Sequence, residues 1–222
     1  MSNQTNYSNA TKCVYTVICW NPEKNYELRE PKSRLTGWDY ICFTDDPKRA
    51  RLKTKSWHIE KLEIDEGLSL RQNSRVPKIL FNEFDLSLYL DCKFVPDQML
   101  NMYARRMFGD DIKWDMGLML HSKNNCVYKE AEITGYGDSA QIKRYKKEGL
   151  PGKQGLYAPG IMWRHHNDRV NAMMKTWYEE YSNGCERDQI SLAYTVWKHP
   201  EVKIKGMKFK KTYDLFRHGK KQ

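Results

Sequence analysis

Asp91 closes the apolar run Ser87-Leu88-Tyr89-Leu90 and is followed by Cys92 and Lys93. A carboxylate at the tip of a buried strand is held on rigid backbone, where its oxygens can meet a divalent cation that bridges a pyrophosphate. The same group could instead accept hydrogen bonds from the turn that follows. Arg75 and Lys78 precede this strand. As a planar fork and a point charge they suit phosphates, and they also suit a solvated helix end. Asp45-Asp46-Pro47 ends a second apolar run and reads equally as a turn or helix start. Glu130 and Glu132 are two apart in a stretch that reads as a strand, which would put both on one face, toward a ligand or toward solvent. Asp188-Gln189 opens a helical pattern after Gly184, where Asp188 can serve as N-cap. His165 and His166 are adjacent, so on an extended segment their rings diverge, and they are not assigned as metal ligands.

The elements that must hold these groups alternate in type. Val14–Trp20 and Tyr40–Thr44 are short β-branched and aromatic runs bounded by turn residues. Trp57–Ile64, Leu86–Leu90, Gly117–Leu120, Cys126–Tyr128 and Gly155–Arg164 read as further strands. Helices are expected over Ser74–Phe84 with Pro77 at its first position, over Asp97–Phe108, and from an Asp138-Ser139 cap to near Gly149. Asn167–Ser182 carries Val170, Met173, Met174, Trp177 and Tyr181 at spacings of three and four, and a last helix, Asp188–Lys198, ends before Pro200. This alternation implies an α/β fold, a central sheet with helices on both faces, whose ligands bind beyond the carboxyl ends of the strands. That rule selects Asp45, Asp46 and Asp91.

A chain of 222 residues supports one domain, and 40% hydrophobic with 13% aromatic content excludes a disordered chain. No apolar run reaches the ~18 residues of a membrane span. Residues 1–12 are polar, so a secretory signal is not expected and the location expected is cytoplasmic, a host's cytoplasm if the chain is viral. The sequons at Asn3, Asn6 and Asn9 then fall in a disordered polar tail. Six cysteines without a CxxC pair are expected as buried, reduced thiols. The net charge of +10 draws anionic ligands or polymers. Its clusters, Lys48–Lys55, Lys143–Lys147 and Lys203–Lys221, suit a solvated face, a polyanion surface or a nucleotide diphosphate. With no zinc-finger spacing, RNP-like strand or basic zipper, nucleic acid is not an expected partner, although a basic module that binds anionic polymers or nucleic acid is the rival class.

Five ordered blocks resemble a GT-A glycosyltransferase-like family of plants, bacteria and large DNA viruses, the TOD/MUCI type, long catalogued as a domain of unknown function. They are WDYICFTDDP (Trp38–Pro47), RVPKI (Arg75–Ile79), SLYLD (Ser87–Asp91), CVYKEAE (Cys126–Glu132) and RDQISL (Arg187–Leu192), within Cys13 to Lys205. The chain is also similar to the capsid-protein glycosyltransferase domain of chlorella viruses. The resemblance implies one GT-A-like domain over residues 13–210, a mixed central sheet flanked by helices, with a basic segment at 211–222. It implies transfer of a sugar from a nucleotide-diphosphate donor, UDP-linked, to a hydroxyl of a glycan or glycoprotein acceptor.

By the same resemblance Tyr15, Thr16, Thr44, Asp45 and Asp46 hold base and ribose, and an Asp can accept from a ribose hydroxyl or a base N–H. Arg75, Lys78, Asp91 and Lys93 meet the donor phosphates. Glu130, Glu132, Tyr157 and Gly160 form the acceptor side. Asp188 with Gln189 is catalytic, with Asp188 deprotonating the acceptor or opposing positive charge on the sugar ring. Asp91 aligns with the first acid of a D-x-D metal motif, and a Mn2+ or Mg2+ ion is expected on Asp91 and His218. Lys93, however, stands where the second acid would be, and an ammonium there repels the cation or takes over part of its charge. A degenerate transferase that binds donor without turnover is the further reading that Lys93 raises.

Overall fold

The computed structural model describes residues 10–20, 27–96, 104, 107–108 and 113–208. The strands are β1 (Lys12–Ile18), β2 (Asp39–Thr44), β3 (His58–Lys61), β4 (Leu86–Leu90), β5 (Met116–Leu120), β6 (Tyr157–His165) and β7 (Ile204–Met207). They form one sheet in the order β3-β2-β1-β4-β6-β5-β7. β6 runs antiparallel to β4 and β5, and the other pairings are parallel. The carboxyl ends of β1, β2, β4 and β5 therefore share one edge with the start of β6. The mixed sheet expected from the sequence is present. β7 was hidden in a lysine-rich stretch and adds an edge strand the sequence did not announce.

The helices are α1 (Pro47–Arg51), α2 (Leu70–Leu80), α3 (Val127–Ile133), α4 (Ala140–Lys147), α5 (Asp168–Ser182) and α6 (Asp188–Lys198). α5 is capped by Asn167 and α4 by Ser139, each accepting from a backbone N–H three residues on. α2 differs from expectation. It begins at a capping box, in which Ser69 accepts from Gln72 N–H and the Gln72 side chain accepts from Ser69 N–H, so Pro77 lies inside the helix. The Cys126–Tyr128 run, expected as a strand, instead leads into α3. Val127 and Ala131, four apart, join Ile142 and Tyr145 of α4 and Ile190 of α6 in a separate apolar cluster. The expected helix over 97–108 lies largely outside the described residues, as do residues 1–9 and the basic segment 211–222.

Alternation along β1 sends Cys13, Tyr15 and Val17 to the face covered by α2 and α5, and Val14 and Ile18 to the opposite face with Leu88 and Trp163. A buried arginine fixes α2 on the first face. Arg164 of β6 donates to the carbonyls of Ile79 (2.7 Å) and Phe81 (3.0 Å) and to the Tyr15 hydroxyl, while Tyr15 donates to the Lys78 carbonyl (2.7 Å). The carbonyls left over at the end of α2 are thus satisfied from the sheet. All six cysteines are free.

Candidate active site

Two adjoining cavities, about 270 and 310 Å³, open where β1 and β4 end. They share Arg71, Arg75, Asp91 and Lys93 as walls. The first runs between Cys19, after β1, and Ser74 of α2, and the second reaches His121, Gly160, Arg187 and Gln189. Arg71, Arg75 and Lys78 recur at i, i+4 and i+7, so they lie along one face of α2. Arg71 was not selected from the sequence, yet that spacing carried the signal once the helix was known to start at Leu70.

Asp188, the first residue of α6, makes no cap. Its Oδ2 accepts from Lys78 Nζ at 2.8 Å and from Arg75 Nε at 3.0 Å. Burial alone would raise this carboxyl, but the Lys78 ammonium and Arg75 guanidinium outweigh burial and hold it well below the usual carboxylate range. The expected N-cap role is thus replaced by a buried charge cluster. Gln189 is also buried and lines the second cavity, and its Oε1 has no hydrogen-bond partner among the described residues.

Asp91 is the more open carboxylate, its side chain 28% exposed against 7% for Asp188. Tyr89 donates its hydroxyl proton to Asp91 Oδ1 at 2.8 Å. The Lys78 ammonium stands 3.7 Å from Oδ1 and the Lys93 ammonium 3.6 Å from Oδ2. Gly160 makes the space, since a Cβ there would lie 2.9 Å from Asp91 Oδ2. Among the described residues no three His, Cys, Asp or Glu side chains converge as a metal site. Those at Asp91 fit a divalent cation poorly, because the carboxylate stands alone between two ammonium groups. His218 lies outside the described residues.

Glu130 and Glu132 are separated by the structure. On a helix, residues two apart point about 200° from one another, whereas on a strand they would share a face. Glu132 is exposed, while Glu130 is buried and accepts at Oε1 from Arg187 Nε (3.0 Å) and Nη2 (2.6 Å). Asn124 donates to its other oxygen at 2.7 Å. Burial would raise Glu130, but the Asn124 and Arg187 hydrogen bonds lower it. Glu130 therefore holds Arg187 at the cavity wall, and the expected shared face toward an acceptor is absent.

The residues expected at base and ribose do not line these two cavities. Tyr15 is fully buried mid-strand, with its hydroxyl committed to the end of α2. Thr16 points to the other face of the sheet and is buried. Thr44 is buried too, and its hydroxyl accepts from Asp46 N–H at 3.2 Å. Asp45 accepts from Trp20 N–H at 3.0 Å, and Asp46 caps α1 through Arg49 N–H at 3.0 Å. Tyr157 packs against the core cluster under α5. Arg75, Lys78, Asp91, Lys93, Gly160, Asp188 and Gln189 are brought together at the second cavity.

Among the described residues no helix is long and apolar enough to cross a membrane. The chain is similar in fold to mouse xyloside xylosyltransferase 1 in its apo form, with a TM-score of 0.52 at 10% identity over 89% of this chain and 85% of that one. The search of curated proteins found no match. A family model, described as TOD1/MUCI70, glycosyltransferase-like domain, matches residues 53–218, a span that contains Arg71, Arg75, Lys78, Asp91, Lys93, Gly160 and Asp188 but not the Trp38–Pro47 block. By that match, which spans most of its length, the chain belongs to the TOD1/MUCI70 glycosyltransferase-like domain family.

Proposed function

We propose that this protein transfers a sugar from a nucleotide-diphosphate donor, with UDP-linked sugars as the first donors to test, to a hydroxyl of a glycan or glycoprotein. The observation that carries the reading is the surplus of fixed cations around one open carboxylate at the carboxyl ends of the strands. Arg71, Arg75 and Lys93 face both cavities, where they can receive a diphosphate. As the bond from the sugar C1 to the phosphate oxygen breaks, its electron pair stays on the diphosphate, where cations stabilise that charge. The acceptor oxygen bonds to C1, and its proton passes to the departing diphosphate or to solvent.

Asp91 and Gln189 Oε1, which has no partner among the described residues, are acceptors for hydroxyls of the bound sugar, and Gly160 lets the sugar approach Asp91. Asp188 is ill suited to take the acceptor's proton, because a carboxyl held so far below neutrality binds protons weakly. Its part is to hold Lys78 and Arg75 in place. The rival, a module for anionic polymers, calls for cations on an open face, whereas Arg75 and Lys78 are sunk in a cavity wall. A panel of nucleotide sugars, read by thermal shift and donor turnover, tests the proposal. A stabilising shift with at least one donor is expected, and the absence of binding by every nucleoside diphosphate would overturn it.

A further inference from the structure

Lys93 departs from Asp91 on the turn after β4, is exposed, and lines both cavities. Resting on the donor reading above, we propose that the donor diphosphate is neutralised by the side-chain cations Lys93, Arg71 and Arg75 in place of a divalent cation. The charge balance points that way. Arg71, Arg75, Lys78, Lys93 and Arg187 meet Asp91, Asp188 and the Glu130 behind Arg187, so five cations against three carboxylates leave two positive charges. A nucleotide-diphosphate sugar carries one ionised oxygen on each phosphate, which matches that surplus. A divalent ion would overshoot it and would sit beside two ammonium groups that stand 3.6 and 3.7 Å from the Asp91 carboxylate.

Geometry assigns the parts. Lys78 is buried in the wall of the second cavity between Asp188 and Asp91, so it sets the field without leaving its place. Arg75 is pinned through Nε to Asp188 and through Nη1 to Ser74 Oγ at 2.8 Å. Arg71, on α2, and Lys93, on the turn after β4, are both exposed and line both cavities, and can close on phosphate oxygens as the donor enters. Lys93 takes the place that a second carboxylate would need for a metal site, and it brings the positive charge itself.

The test uses the full chain, stripped with EDTA, in calorimetric titrations with UDP, GDP and ADP, each repeated with added Mn2+. At least one nucleoside diphosphate is expected to bind with an affinity that Mn2+ changes by no more than about twofold. Lys93→Ala and Arg71→Ala should each weaken that binding about tenfold, as loss of one charge-assisted phosphate contact does. Their melting temperatures should stay unchanged, since both side chains are exposed. Lys93→Asp should make binding depend on Mn2+. Binding that EDTA abolishes and Mn2+ restores in the wild type would overturn this inference while leaving the donor reading intact. Wild-type affinity in Lys93→Ala and Arg71→Ala would overturn it as well. No binding in either buffer would bring down the donor reading itself.

Discussion

The Lys78 ammonium lies 2.8 Å from the Asp188 carboxylate across 110 positions of sequence, and solvent reaches almost none of either side chain. This contact ties α2 to α6 directly behind the open carboxylate of Asp91. Removing the Asp188 charge leaves Lys78 buried with only Asp91, at 3.7 Å, to oppose it, and takes the carboxylate from Arg75 as well. Asp188→Asn should therefore cost about 3–5 kcal/mol in chemical denaturation. The double variant Lys78→Met, Asp188→Leu should recover only part of that stability, since replacing both members of a buried pair by apolar residues is often neutral but Arg75 also loses its Asp188 partner. Donor turnover should stay lost. A single variant as stable as wild type would show that the pair does not organise the site.

Glu130 and Glu132 should part company under mutation. Glu130→Ala strands Arg187 and removes a satisfied buried charge, so a loss of about 3 kcal/mol is expected. Glu132→Ala, on the exposed side of α3, should stay within about 0.5 kcal/mol of wild type and leave turnover unchanged. Equal losses of activity with equal stability would restore the reading in which both contact an acceptor.

Gly160→Ala places a methyl against Asp91 Oδ2 and against Phe94 Cε2 at 3.1 Å. Moving the carboxylate should lower donor kcat/KM by about tenfold, equivalent to about 1.4 kcal/mol. Asp91 is partly open and can shift, so the melting temperature should change little. Unchanged kcat/KM would remove Asp91 from the donor site.

His165 and His166 set an acid-side dependence. Burial, the largest cause for both, pushes His165 down to about 4 and His166 to about 3. Both rings therefore stay neutral in the fold while the unfolded chain protonates near 6.5. The unfolded state binds more protons below that value, so stability should fall as pH drops from 7 toward 5, before the lowered carboxylates of Glu130 and Asp188 begin to protonate. Denaturation midpoints in His165→Gln, His166→Gln should show a flatter slope over that interval. An identical slope would mean that other groups carry it.

Much of the fold was legible from local pattern. β4 and α6 have the bounds read from sequence, and α5 starts one residue later than expected, because apolar period and caps are properties of neighbouring residues. The Cys126 run misled because three apolar or aromatic residues fit either period, and the α4 and α6 side chains that bury it come from elsewhere. Pro77 misled because its preference for a first turn is weaker than the capping box at Ser69 and the carbonyl partners supplied by Arg164.

By itself the sequence determined the alternating elements, the position of Asp91 at a strand end, the departure at Lys93 and the order of the family blocks. The tertiary structure alone decided which charges meet. It turned Asp188 from a helix cap into the anchor of Lys78 and Arg75, sent the Tyr15 hydroxyl to the end of α2, and set Glu130 behind Arg187. The physical reason is range: helical and strand periods act over a few residues, whereas these contacts join groups 57 to 113 positions apart and exist only once the sheet has brought its strand ends together.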